Sequence, residues 1–145
     1  MQEKSGQQVQ GGRADGVTDS GRLREIGLLG GDLMALSRVT SIGRQLGIGV
    51  RQVNSAADLD GLALLLVDLN RDADLELGRL AELLSPSSEL RAIAVGRHTE
   101  LAWLLPRAKA AGAQRCVANS GLPMLLARIL VAGRGADSAP EAEPS

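Results

Sequence analysis

Hydrophobic positions along this chain follow two rhythms that take turns. REIGLLG (24–30) is a short apolar run ending in glycine, a candidate strand. In DLMALSRVTSIGRQLG, Leu36, Val39, Ile42 and Leu46 recur at helical spacing, with Asp32 placed as N-cap and the chain turning at Gly47. IGVRQV (48–53) alternates as a second strand would. LALLLVD (62–68) is apolar without alternation, the pattern of a central parallel strand covered on both faces.

RDADLELGRLAELL returns to the helical period, with Leu77, Leu80, Leu83 and Leu84 inward and Ser85-Pro86 as the stop. RAIAVG (91–96) is a further continuous strand. TELAWLLPRAKAAG brings Leu101, Leu104, Leu105, Ala108 and Ala111 onto one face and ends at Gly112 as a C-cap. Pro106 should kink that helix or delay its regular start. RCVA (115–118) is a short fifth strand, and SGLPMLLARILVAG a last helix with Ser120 as N-cap and Pro123 in its first turn.

Strand and helix thus alternate five times. Right-handed crossovers make an α/β doubly wound, five-stranded parallel sheet the economical architecture. Only NSAADLDG joins the second strand to the third, too short for a full crossover helix, so that helix is expected to be shortened or missing.

Residues 1–21 are rich in Gln, Gly, Ser and charge without periodicity, and 133–145 add Pro and Glu to the same character. Both read as disordered tails around one domain over 22–132. The chain has 145 residues, one Trp and no Tyr or Phe, so its single core must be aliphatic. Sixteen Lys and Arg face 17 Asp and Glu, and the scattered arginines leave no basic stripe for nucleic acid. A single cysteine, Cys116, excludes an internal disulfide or a multi-cysteine metal site, and a structural role in a buried strand is expected of it. No signal-like or membrane-spanning apolar run is present, so a cytoplasmic location without membrane contact is expected.

LLLVDLN around Asp68 and AKAAGAQRCVANS resemble the third strand and the fourth-helix-to-fifth-strand region of response regulator receiver domains, over roughly residues 23–132. GDLMALSRV, LLLVDLN, IAVGRH and VANS more closely resemble small stand-alone receiver-like bacterial proteins. The resemblance implies a flavodoxin-like, receiver-like sheet of strand order 2-1-3-4-5, with active groups at the carboxyl ends of the strands.

It also implies a set of chemical positions, and here most of them read differently. The acidic pair that holds Mg²⁺ after the first strand is Gly30-Gly31, with Asp32 one step beyond. The phosphoacceptor position holds Asp68. The Ser or Thr after the fourth strand is Gly96, and the Lys after the fifth is Asn119, next to Ser120. Without the lysine a transferring phosphoryl group would lose its fixed cation, a place Arg97 could take only if it turned inward. No cofactor is expected, and Mg²⁺ on Asp32 and Asp68 only if the switch survives.

Three further residues stand out. His98, the only histidine, lies on the same rim as Asp68 and would make a proton-sensitive contact if the two met. Arg38 lies in the family-like string of the first helix and is a candidate rim or partner contact. Trp103, on the receiver fourth helix, is a candidate hot spot of a partner surface shared with Leu101, Arg107 and Arg115. The glycines of IGLLGGD lack the G-x-G-x-x-G spacing and no GKS or GKT follows, so no nucleotide loop is read here.

The reading that results is a non-enzymatic pseudo-receiver acting through protein contacts, with self-association through the fourth-helix and fifth-strand face as one form of contact. The alternatives are an atypical receiver phosphorylated on Asp68, and a small enzyme or ligand binder using the strand rim.

Overall fold

A computed structural model describes residues 23–84 and 89–134. The expected tails and the Ser85-Pro86 stop lie outside the described residues, apart from the last two residues of the final helix. The strands are β1 (Glu25–Gly30), β2 (Gly49–Val53), β3 (Leu64–Asp68), β4 (Arg91–Gly96) and β5 (Arg115–Ala118). All pair in parallel, in the order β2-β1-β3-β4-β5. The helices are α1 (Leu33–Leu46), α2 (Ala73–Leu83), α3 (Leu101–Ala110) and α4 (Leu122–Arg134).

Each side of the sheet has its own core. Ile26, Leu28, Leu64, Leu66, Ile93 and Val95 meet Val39 of α1 and Leu122, Leu125 and Leu126 of α4. Leu29, Leu65, Val67, Ala92 and Ala94 meet Leu77 and Leu80 of α2 and Leu104 and Ala108 of α3. Side chains of β3 point alternately to these two cores, which is why its whole run is apolar and all five residues are buried.

The β2–β3 link holds one 3₁₀ turn, Ala56–Leu59, in place of a crossover helix. Its start is tied by the Asp58 carboxylate, which accepts the Asn54 and Ser55 amide N–H groups at 2.8 and 3.1 Å. Arg51 completes the tie. Its Nη1 donates to the carbonyls of Asp58 and Asp60 at 2.9 and 2.8 Å, while Nη2 meets Glu25 Oε1 at 2.6 Å. The Asp58 carboxyl is held below its ordinary pKa, first by the Asn54 and Ser55 amides and least by Arg51, against the opposing effect of desolvation.

Asp32 caps α1 as expected, its Oδ1 accepting the Ala35 N–H at 2.9 Å, and Gly47 ends the helix with a left-handed φ of 79°. Other expectations need correction. Leu105 is exposed rather than inward, because Leu104 and Ala108 already fill the narrow stripe that α3 turns to the sheet. Regular α3 begins at Leu101, ahead of Pro106, so the proline delays nothing; its ring lies on the solvent side. Ala111 is the C-cap, and Gly112 follows it with φ 113°. Ser120 sits inside a 3₁₀ turn (Asn119–Gly121) that leads into α4 and is not its N-cap. Cys116 is half-buried rather than buried, since β5 is an edge strand. Burial still pushes its thiol pKa up, the opposite of what a reactive cysteine needs.

Candidate functional site

In a parallel sheet of this order the chain reverses direction of winding between β1 and β3, and ligands of such folds sit above the carboxyl ends of the strands there. Gly30 is in register with Asp68, and Asp68 with Val95. Asp68 therefore stands at the centre of the rim, 3% exposed.

Its two carboxylate oxygens are held unequally. Oδ1 accepts the backbone N–H of Asn70 at 2.8 Å and the Asn70 side-chain amide at 3.0 Å. Oδ2 faces Arg38 Nη2 at 3.7 Å. Arg38 reaches it from α1 with about half of its side chain still in solvent. The Asn70 amide also exchanges two hydrogen bonds with Asn119, Nδ2 to Oδ1 at 2.9 Å and the reverse at 3.0 Å. This reciprocal amide pair fastens the loop after β3 to the end of β5.

The glycines at the end of β1 are required by their backbone and their surroundings. Gly30 and Gly31 have φ of 81° and 80°, a region that side-chain-bearing residues rarely enter. A β-carbon on Gly30 would lie 2.7 Å from Glu76 Cδ, and one on Gly31 3.2 Å from Asp68 Oδ2. Glu76 of α2 thus lays its carboxyl over the strand end where a receiver would carry its own acids. Burial raises its pKa above the ordinary value, opposed by Arg79, which donates to Oε1 at 3.0 Å, with Asp72 and Asp68 adding to the rise.

Asp32 lies beside this group but turns elsewhere. Its Oδ1 caps α1, and its Oδ2 faces Arg71 at 3.4 Å. The Ala35 amide, chiefly, and Arg71 hold its carboxyl below the usual pKa, against the upward effect of burial. Gly96 ends β4, where a β-carbon would strike Leu104 Cδ1 at 2.5 Å. The packing of α3 has taken the space of any hydroxyl-bearing residue there.

These residues do not fit a Mg²⁺ site. Mg²⁺ prefers an open octahedron of oxygens, whereas Asp68 has one oxygen under two N–H donors and the other facing a guanidinium. Among the described residues, no group of three or more His, Cys, Asp or Glu side chains is placed to hold a metal.

The remaining rim candidates form a separate group. Arg97, His98, Asn119 and Ser120, with Thr99 and Ala118, line an open pocket of about 290 Å³ beyond the amide pair. Arg97 meets Glu100 Oε2 at 3.7 Å rather than Asp68 and so does not stand in for the missing lysine. No ion pair or hydrogen bond joins His98 to Asp68 among the described residues. On α3, Trp103 is 48% exposed with the Arg107 guanidinium 4.3 Å above its ring; Arg115 is exposed and Leu101 half-buried.

Sequence reasoning missed Glu76 and Asn70. Glu76 is written like any acid on a helix, and only the position of α2 against Gly30 gives it a role. Asn70 did follow Asp68 in the quoted LLLVDLN string, but its partner Asn119 is 49 residues away.

No family model matches the sequence, and no curated protein matches it. Among solved structures, the chain is similar to a CheY-like protein (tadZ) from Pseudomonas aeruginosa PAO1, with 18% identity and TM-score 0.63 over 83% of this chain and 98% of that one. It is similar to a protein provisionally assigned to pilus assembly (cpaE) from Burkholderia thailandensis E264, at 19% identity and TM-score 0.61, covering 78% and 99% of the two chains. A response regulator receiver domain protein from Clostridium thermocellum aligns at 13% identity and TM-score 0.60, over 78% and 95%. The fold is that of response regulator receivers. Among the described residues no helix is long and apolar enough to cross a membrane.

Proposed function

We propose that this protein is a receiver-like regulatory module that works by protein–protein contact, without an aspartyl phosphorylation switch and without catalysing a reaction of its own. The observation that carries this reading is the engagement of Asp68. A phosphoacceptor must present a free carboxylate oxygen beside a metal and a fixed cation. Here one oxygen is held by Asn70, and the other faces Arg38 across a strand end that carries no side chain. Asn119, in the place of the lysine, is bound to Asn70.

The surface we assign to partners is the α3–β5 face with Leu101, Trp103, Arg107 and Arg115, whether the partner is another protein or a second copy. Trp103 supplies a large, half-exposed aromatic surface already oriented by Arg107, the kind of anchor that dominates interfaces. The pilus-assembly designation of one structural relative makes a component of such an assembly the first partner to try. We expect the protein to act in the cytoplasm.

The test is incubation with Mg²⁺ and acetyl phosphate, read by intact mass and amide NMR beside Asp68→Asn. No adduct and no Asp68-dependent shift is the expected result. A phosphoryl adduct absent from Asp68→Asn would instead support an atypical receiver. The observation favouring that second reading is Glu76, a relocated acid over the end of β1 whose pKa is raised first by burial and least by Asp68.

A further inference from the structure

The rim is electrically divided. On the β1–β3 side stand Asp68, Glu76 and Asp72, with Arg38 answering Asp68 and Arg79 answering Glu76. On the β4–β5 side is the open pocket of about 290 Å³ lined by Arg97, His98, Thr99, Ala118, Asn119 and Ser120. No carboxylate lines it. The Asn70–Asn119 pair borders it on the Asp68 side and takes one N–H of the Asn119 amide.

What does line the pocket is a set of donor groups, most of them without an acceptor. His98, Thr99 and Ser120 have no side-chain partner among the described residues. Arg97 has only Glu100, at 3.7 Å and with both side chains largely in solvent, a contact that is worth little and is easily given up. The pairing of Gly96 with Ala118 sets the two loops side by side, so that residues 97–99 and 119–121 present their groups to one volume. A guanidinium, an imidazole and two hydroxyls around one volume match an acceptor with several oxygens and negative charge.

We propose that this pocket binds a phosphate-type oxyanion, either inorganic or as the monoester of a small molecule. Arg97 would neutralise its charge, and the His98 imidazole and the Thr99 and Ser120 hydroxyls would donate to its remaining oxygens. The volume exceeds that of a bare phosphate and leaves room for a small organic group. This site is distinct from Asp68. Two strands, β3 and β4, separate it from the reversal point of the sheet, so it stands or falls independently of the pseudo-receiver reading.

The experiment is a titration of the full chain with inorganic phosphate, and in parallel with glycerol 3-phosphate, at constant ionic strength, followed by amide NMR. Saturable shifts centred on Arg97–Thr99 and Asn119–Gly121 are expected, weakened about tenfold in Arg97→Gln through loss of a charged hydrogen-bond donor. His98→Gln, equally exposed and equally tolerable to the fold, should weaken the same shifts. Tighter binding of the ester would identify a small phosphomonoester as the ligand, and equal or weaker binding would identify the free anion. Unsaturable shifts, shifts spread over the arginines of the whole surface, or binding unchanged in both variants would overturn the proposal.

Discussion

Glu76 is the side chain in which cost and purpose meet most visibly. Its carboxyl is 8% exposed as a residue, lies over Gly30, and is answered by one arginine. Because its folded pKa is raised, the native state holds its proton more tightly than the unfolded chain does. The sign follows: Glu76 favours folding below its ordinary value near 4.5 and costs stability as pH rises through the folded value. Glu76→Gln should therefore remove a downward slope of stability in that window and be at least as stable as the parent at pH 7, as urea titrations between pH 4 and 7 would show. A parent whose stability only climbs with pH relative to Glu76→Gln would contradict the assignment. Residues such as this were illegible beforehand for a physical reason. Asp68 announced itself by ending an apolar run, and Gly30, Gly31, Gly96 and Asn119 by what they replaced, whereas Glu76 and Asn70 act through neighbours that only folding brings near. Asn70 meets Asn119 across 49 residues, and no local pattern records that.

At the scale of elements, the link between β2 and β3 shows how a doubly wound sheet dispenses with a crossover helix. Arg51 supplies what a helix would otherwise provide, three hydrogen bonds that gather two loop carbonyls and the β1 carboxylate of Glu25. About a quarter of each charged side chain remains exposed, so solvent weakens the pair. Arg51→Ala should still cost about 1–2 kcal/mol and speed amide exchange in Ala56–Leu59 ahead of the sheet, measurable by hydrogen exchange with mass spectrometry. Uniform exchange across link and sheet would show that the 3₁₀ turn is held by other means. Such elements were readable to different degrees. Continuous apolar runs marked β3 and β4 within two residues of their ends, since burial on both faces admits no polar interruption, and RCVA marked the half-buried edge strand β5. The outer face of α3 was misjudged because five apolar residues at helical spacing exceed what one narrow contact can bury, and Leu105 was left outside. Helix starts are local as well, yet Ser120 was displaced by a 3₁₀ turn that competes with the cap it could have formed.

The molecule as a whole has two buried faces, one rim of fixed polar contacts and one side bearing an exposed aromatic. Its core contains no aromatic ring, since the sole one is Trp103. Trp103→Ala should leave stability within about 1 kcal/mol, the scale of an exposed cation–π contact. The same substitution should weaken partner capture or self-association by about 2 kcal/mol or more, as a hot-spot anchor does. Sedimentation equilibrium and binding to a pilus-assembly component would measure it, and unchanged association would move the interface elsewhere. The position of that indole has one more consequence. In most proteins tryptophan emission and near-ultraviolet dichroism report whether the interior is packed. Here the only chromophore of that kind rides on the outside of α3 beneath a guanidinium, so the interior is optically silent, and the protein's light belongs to whatever touches its surface.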